Sequence, residues 1–222
     1  MTKASSTKVS VIITAHNEEI FIHRCLRSIM HQTLANDLYE VIVVNDGSDD
    51  RTQYILDLFD DSVKCIKNKN NVGLPASINL GIRKARGQYV IRLDADDYVN
   101  ENYLNFLMLF LDFNGHFDAV ACDYLAVDDN ETVLERFDAI EQPIGCGIMF
   151  KRSQLLELGL YDESFLRHED KDLRLRFDKA YKMGHLNIPL YRYRKHLDNI
   201  TNDEAIMAEE KERLKDKHSL NY

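Results

Sequence analysis

Gly87-Gln-Tyr-Val-Ile-Arg-Leu-Asp-Ala-Asp-Asp-Tyr98 runs from a glycine through a short apolar, β-branched segment into three carboxylates. Tyr89 to Leu93 has the composition of a buried or half-buried strand, and Asp94, Asp96 and Asp97 fall in the turn at its end. Open α/β sheets bind ligands beyond the carboxyl ends of their strands. Carboxylates at that edge suit a hard divalent cation bridged to phosphate oxygens. A lone Asp-x-Asp is more often a solvated acidic loop, so the reading rests on the other strand ends.

Upstream, Val9-Ser-Val-Ile-Ile-Thr14 is a continuous apolar strand of the parallel-sheet kind, ending at Ala15-His16-Asn17-Glu18. Ile22, Cys25, Leu26, Ile29 and Met30 then fall on one face of a helix. A second strand, Tyr39 to Val44, stops at the turn Asn45-Asp46-Gly47-Ser48-Asp49-Asp50. Ile55, Leu56 and Phe59 mark a helix, Val63 to Ile66 a short strand, and Lys67 to Gly73 a polar loop before a helix from about Pro75 to Ala85. Alternation at this spacing predicts an α/β, Rossmann-like, mostly parallel sheet flanked by helices. Its carboxyl edge gathers residues 15–18, 45–50 and 94–97 into one crevice, which reads as a nucleotide site. The chain has no Gly-x-Gly-x-x-Gly after its first strand and no Gly-Lys-Ser/Thr loop. A diphosphate bound here therefore needs a metal on Asp96 or Asp97.

The second half changes pattern. Asp118 to Val127, Thr132 to Phe137 and Cys146 to Phe150 are strand-like, with Gly145 and Gly147 permitting close backbone approach, and predict antiparallel additions to the sheet. The cluster His168-Glu169-Asp170-Lys171-Asp172 precedes a helix whose apolar stripe is Leu173, Phe177, Ala180 and Tyr181. One turn back, Asp170 lies on that stripe, so its carboxylate points inward as a candidate general base; capping of the helix by Glu169 or Asp170 is the competing reading. His185 to Tyr193 reads as a strand followed by the basic Arg194, Lys195 and His196. His196 could complete a metal site with Asp96 or Asp97. The tail from Asn202 to Lys217 predicts a solvent-facing helix or frayed end without chemistry.

With 28 Lys+Arg against 37 Asp+Glu, the net charge of −9 argues against nucleic acid as a partner. Four scattered cysteines make no disulfide framework, and the polar N-terminus lacks a secretory apolar segment. A cytoplasmic protein is expected. Tyr103 to Phe113 is too short to span a bilayer and predicts a buried helix, with peripheral contact at the inner face of the cell membrane as its alternative use.

Five ordered motifs then carry a resemblance. Val9 to Glu18, Val43-Val-Asn-Asp-Gly-Ser-Asp-Asp50, Asn71-Val-Gly73, Gly87 to Asp97 and His168-Glu-Asp170, followed by Tyr193-Arg-Lys-His-Leu-Asp-Asn-Ile-Thr201, resemble the inverting, metal-dependent glycosyltransferases of family 2, which share the GT-A fold. The resemblance covers roughly residues 8 to 201. It implies one GT-A domain over 1–217, with a nucleotide-sugar half (about 8–98), an acceptor and catalytic half (about 99–201) and a C-terminal helix or tail. By the same resemblance, a nucleotide sugar, expected as a UDP-sugar, would meet Thr14, Ala15, His16, Glu18, Asp46, Asn71, Gly73, Arg92 and Asp94. Asp96, Asp97 and His196 would serve Mn²⁺ or Mg²⁺, and Asp170 with Glu169 would be catalytic. The acceptor would be a glycan or lipid-linked hydroxyl. Thr14-Ala15-His16 departs from the Pro and Tyr common at that position, and Ile78 from a common Arg. A sugar-phosphate nucleotidyltransferase and a non-catalytic nucleotide-sugar-binding module are the alternatives; the first gives no reason for an inward Asp170, and the second would bind donor without releasing sugar.

Overall fold

Strand β1 (Val9–Ala15) is buried along its length except at Thr14, and pairs in parallel with a strand on each side. Its neighbours are β2 (Tyr39–Asp46) and β4 (Tyr89–Asp94), with β3 (Lys64–Asn68) beyond β2. This computed structural model describes residues 7–196 and 204–219. Because both faces of β1 are covered, its odd and even positions feed different cores. Val9, Val11 and Ile13 pack with helices α1 (Ile22–Met30) and α4 (Tyr103–Phe113), while Ile12 packs with α3 (Leu74–Lys84) and α6 (Glu169–Ala180). That is why the strand reads as an unbroken apolar run.

The chain moves outward from β1 to β2 to β3, then returns to β4 on the opposite flank. The order reverses between β1 and β4, so a crevice opens beyond Ala15 and Asp94. The remaining strands extend the sheet from β4 in the order β8 (Ile148–Lys151), β6 (Ala119–Val127), β9 (Met183–Arg194) and β5 (Tyr98–Val99), with β7 (Val133–Phe137) on β6. The β4–β8, β8–β6, β6–β7 and β9–β5 pairs are antiparallel, as expected from the sequence. The β6–β9 pair is parallel, which the sequence did not suggest. The long return through β7, β8, α5 (Arg152–Glu157) and α6 supplies the crossover a parallel pair needs.

Strand β9 is irregular at Pro189. Its register against β6 shifts by three residues between Cys122↔Leu186 and Tyr124↔Tyr191. An odd shift exchanges the two faces of a strand. The side chain of Tyr191 is thereby delivered to the acidic end of β4.

The C-terminal segment corrects the expectation of a solvent-facing tail. Helix α7 (Glu204–His218) buries Glu210 and Leu214 against the segment that leads into α6. Glu210 Oε2 accepts from Leu166 N at 3.1 Å, and His168 Nε2 lies 3.2 Å from Met207 O. Fully buried Asp172 meets Arg176, Lys217 and His218, at 2.8 Å for Arg176 and His218. The docking is polar, so apolar periodicity carries little sign of it.

Burial alone would raise Asp172, but Lys217, His218 and Arg176 outweigh it and hold the carboxyl below its ordinary range. A depressed folded value means that this stabilisation is full above the ordinary carboxylate range and is lost as pH falls through the folded value. Asp172→Asn is expected to destabilise by about 3 kcal/mol, the scale for breaking a buried charge cluster. Hydrogen exchange should speed up first in α7; uniform protection across variant and parent would refute the docking role. Among the described residues, no helix is long and apolar enough to cross a membrane.

Candidate active site

Two loops at the crevice are cross-tied by their own polar groups. Asn17, held at φ 59° in the left-handed region, donates its N–H to Ser48 Oγ at 3.0 Å, and its Oδ1 accepts from Asp49 N at 3.0 Å. Glu18 N donates to Thr52 Oγ1 at 2.8 Å, Glu19 N to Asp50 Oδ2 at 3.0 Å, and Arg51 N to Glu19 Oε2 at 2.8 Å. The β1 and β2 loops thus form one wall.

Asp46 anchors a third loop to that wall. Its Oδ1 accepts from Asn68 Nδ2 at 2.8 Å and Val72 N at 3.0 Å, and its Oδ2 from Gly73 N at 3.0 Å. Gly47 sits at φ +70°, where a Cβ would lie 2.5 Å from the carbonyl carbon of Asn70. Only glycine lets the two backbones cross there. Asp46 is 4% exposed, so it holds the segment through Asn71 and Gly73 in place rather than presenting a free carboxylate to the crevice. His16 is exposed, with Nδ1 2.9 Å from Asp46 O, and Thr14 and Ala15 close the end of β1.

At the end of β4 the acidic run divides by function. Arg92 holds Asp94 through two bonds, Nε–Oδ1 2.6 Å and Nη2–Oδ2 3.1 Å, and reaches Glu169 Oε1 with Nη1 at 3.0 Å. Burial opposes the charge on Arg92, but Asp94 and Glu169 outweigh it and hold the guanidinium above its ordinary range. Glu169 is buried and committed to this ion pair. Asp97, 1% exposed, accepts from Tyr191 Oη at 2.6 Å and from Arg194 N at 2.7 Å. It fixes the turn from beneath, and burial, with Asp96 and Asp94 nearby, pushes it well above the carboxylate range.

Asp96 faces the other way. Its Oδ2 lies 3.0 Å from His196 Nε2, while Arg194 Nε donates to the Asp96 carbonyl at 2.9 Å. Glu18 stands close enough that burial first, and then the charge of Asp96, push its carboxyl to about 8. This crowding of negative charge, with an imidazole beside it, is a donor set that fits an oxygen- and nitrogen-preferring divalent ion. Asp94, Asp97 and Cys146 also lie within 4.8 Å of one another. Burial raises the Cys146 thiol well above its ordinary range, so it stays protonated and is a poor ligand for a hard cation. A further group, Asp123 with Asp138 and His185, is already neutralised by Arg136, 2.7 Å from Asp123.

Asp170 lies in the first turn of α6, after His168 in the left-handed region at φ 63°. The point where a Gly145 Cβ would sit is 3.2 Å from Asp170 Oδ2, 2.8 Å from Asp170 Cβ and 3.1 Å from Arg92 Nη1. Asp170 therefore points inward, to the edge of the Arg92–Asp94 pair. Among the described residues its carboxylate has no hydrogen-bonding partner. It is an uncommitted carboxylate beside a committed ion pair.

The structure brings together Glu18, Arg92, Asp94, Asp96, Asp97, Glu169, Asp170 and His196. Asn199 and Thr201 of the expected C-terminal element lie outside the described residues. Sequence reasoning missed Tyr191 and Arg194 as the supports of the acidic turn; they read as a strand end, and the register shift at Pro189 that aims Tyr191 has only the proline as its signal. Gly145→Ala is expected to push Asp170 aside, lowering turnover about tenfold and stability by about 1 kcal/mol, as overpacking does. Unchanged turnover with unchanged donor affinity would show that the approach of Gly145 to Asp170 has no bearing on the reaction.

A reversed-order α/β sheet with an acidic turn at its switch point and an inward carboxylate across it is the layout of a GT-A transferase. Solved structures agree on the fold. The mannosyltransferase PcManGT of Pyrobaculum calidifontis, in complex with GDP-Man and Mn²⁺, superposes with a TM-score of 0.76 at 18% identity, covering 97% of this chain and 65% of that one. Staphylococcus aureus TarS 1–349 in complex with UDP-GlcNAc gives 0.75 at 22% identity, covering 89% and 61%. The model of glycosyl transferase family 2 matches residues 10–183, and the chain belongs to that family. An uncharacterized glycosyltransferase of Haemophilus influenzae is 38% identical over 122 residues, 54% of this chain and 37% of the relative. One of Rickettsia typhi is 28% identical over 227 residues, 94% of this chain and 70% of the relative.

Proposed function

We propose that this chain is an inverting glycosyltransferase that moves a sugar from a nucleotide-sugar donor to a hydroxyl acceptor. The observation that carries the reading is the Asp170 carboxylate, without a hydrogen-bonding partner among the described residues, beside the Arg92–Asp94 pair at the start of the acidic turn that runs to Asp96 and His196. In this reading the laced loops and the Asn71–Gly73 segment hold the nucleoside, and Asp94, fixed by Arg92, faces the ribose. Asp96 and His196 would hold Mn²⁺ or Mg²⁺, with Asp97 supporting the turn from below. The ion, when bound, supplies charge neutralisation to the departing nucleoside diphosphate.

Asp170 takes the proton of the acceptor hydroxyl as that oxygen attacks the anomeric carbon. The bond from that carbon to the diphosphate oxygen breaks in the same displacement, so the centre inverts. A UDP-sugar is the first donor to try, because TarS is known in complex with UDP-GlcNAc. A GDP-sugar is second, from the mannosyltransferase with GDP-Man. The acceptor is read as a glycan or lipid-linked hydroxyl in cell-surface polysaccharide or lipid-linked glycan synthesis, in the cytoplasm or at the inner membrane face.

The test is thermal-shift titration with UDP-, GDP- and CMP-sugars, with and without Mn²⁺, followed by detection of released nucleotide. One donor at 100 times its Kd should stabilise by about 2.7 kcal/mol. No shift with any donor and no nucleotide release would end the reading.

A further inference from the structure

Residues 162–168 carry the chain to Asp170 without a strand or helix of their own. Their backbone closes a turn, Phe165 N to Asp162 O at 3.2 Å, before His168 enters the left-handed region and α6 begins. A segment of this kind draws its order from what it packs against. Here that partner is α7.

The contacts follow the segment nearly residue by residue. Lys217 Nζ donates to Asp162 Oδ2 at 2.8 Å, and Arg213 Nη2 donates to Ser164 Oγ at 2.6 Å. The same two cations lie over the buried ring of Phe165, Arg213 at 4.8 Å and Lys217 at 5.1 Å from its centroid. Glu210 Oε2 accepts from Leu166 N, His168 Nε2 meets the Met207 carbonyl, and past the base Asp172 meets Lys217 and His218. Helix α7 therefore grips the chain on both sides of Asp170.

These contacts are unequal. Arg213 and Lys217 are solvent-facing, and exposed ion pairs hold little. Glu210 is 5% exposed, and a buried carboxylate accepting a backbone N–H makes the stronger, charge-assisted bond. It fixes Leu166 four residues before Asp170. The aim of Asp170 depends on such support, because among the described residues no bond holds its carboxylate and Gly145 is the close neighbour that limits it. A misplacement of about 1 Å at a reacting group costs on the order of 10²-fold in rate.

We propose that α7 is a splint for the base, and that Glu210 is a positioning residue for Asp170, acting through the Leu166 amide and the segment that ends at His168. This rests on the glycosyltransferase reading with Asp170 as base, and adds to it a residue far along the chain.

Steady-state transfer by the full chain tests it. Glu210→Ala is expected to lower kcat about tenfold or more with the donor KM within about twofold, since the β1 and β2 loops are tied to each other rather than to α7. Glu210→Gln, whose amide oxygen still accepts from Leu166 N, should return kcat to within about threefold of the parent. In the Asp170→Asn background, Glu210→Ala should change the residual rate by less than about twofold, because residues acting as a unit do not add. Hydrogen exchange should speed up at the amides of 166–170 in Glu210→Ala and slow again in Glu210→Gln. Should Glu210→Ala fail to fold, the exposed Arg213→Ala is expected to show the same pattern at about threefold.

A fall in rate that persists at full size in the Asp170→Asn background would make Glu210 a purely structural residue and overturn the proposal. So would a kcat that merely tracks the folded fraction, or exchange at 166–170 that no α7 variant changes. A parent chain that transfers no sugar would instead sink the glycosyltransferase reading, while exchange at 166–170 still decides whether α7 holds the segment.

Discussion

Asp170→Asn is expected to reduce sugar transfer by about 10²- to 10⁴-fold, the usual contribution of a positioned general base. The asparagine fits the same space beside Gly145 and the edge of Arg92, so the packing that aims the side chain is kept. What is lost is the ability to accept the proton. Donor affinity should therefore hold within about twofold, because uniform binding does not pass through this residue. The contrast with Glu169 sharpens the test. Glu169 is 3.0 Å from Arg92 and 6% exposed, so Glu169→Gln should lower stability and disturb Asp94 through the shared guanidinium. If Asp170→Asn loses donor affinity and turnover in equal measure, Asp170 is part of the scaffold and the base lies elsewhere.

The second large effect is expected from Asp96→Ala. Asp96 projects toward His196 at 3.0 Å, and its own backbone carbonyl, not its side chain, is tied to Arg194. Truncation should leave the turn folded while removing a charged ligand. Metal-dependent donor binding is expected to weaken by about 100-fold or more, since even the outer partners of metal ligands are worth on the order of 10- to 100-fold. Asp97→Ala should behave differently, with a lower melting temperature, because Tyr191 and the Arg194 amide lose their acceptor in the buried turn. Calorimetry with and without Mn²⁺ separates the two. An unchanged metal requirement in Asp96→Ala would move the ion away from this residue.

Much of this was legible in the residues themselves. The apolar runs of β1, β2 and β4 announce a parallel sheet because both of their faces are covered. The acidic and amide residues after them mark its ligand edge. The inward direction of Asp170 followed from helical spacing to Leu173 and Phe177. Three features were not legible, each for a physical reason. The parallel β6–β9 pair depends on a long-range crossover that local pattern does not encode. Tyr191 reaches the acidic turn through an odd register shift, which no alternation rule anticipates. Helix α7 docks through Glu210, Asp172, Lys217 and His218, and such polar docking resembles an ordinary solvated face. Individual roles were also finer than the motif. Asp46, Asp97 and Glu169 are buried, while Glu18, Asp94, Asp96 and Asp170 keep part of their surface open.

The reciprocal ties among Asn17, Ser48, Asp49, Glu19 and Arg51 have a practical corollary for anyone exchanging these loops between relatives. Each segment supplies the other's backbone partners, so transplanting one alone from a relative leaves amides orphaned in the recipient. The pair is a single exchangeable cassette, and substitutions split across it should combine non-additively.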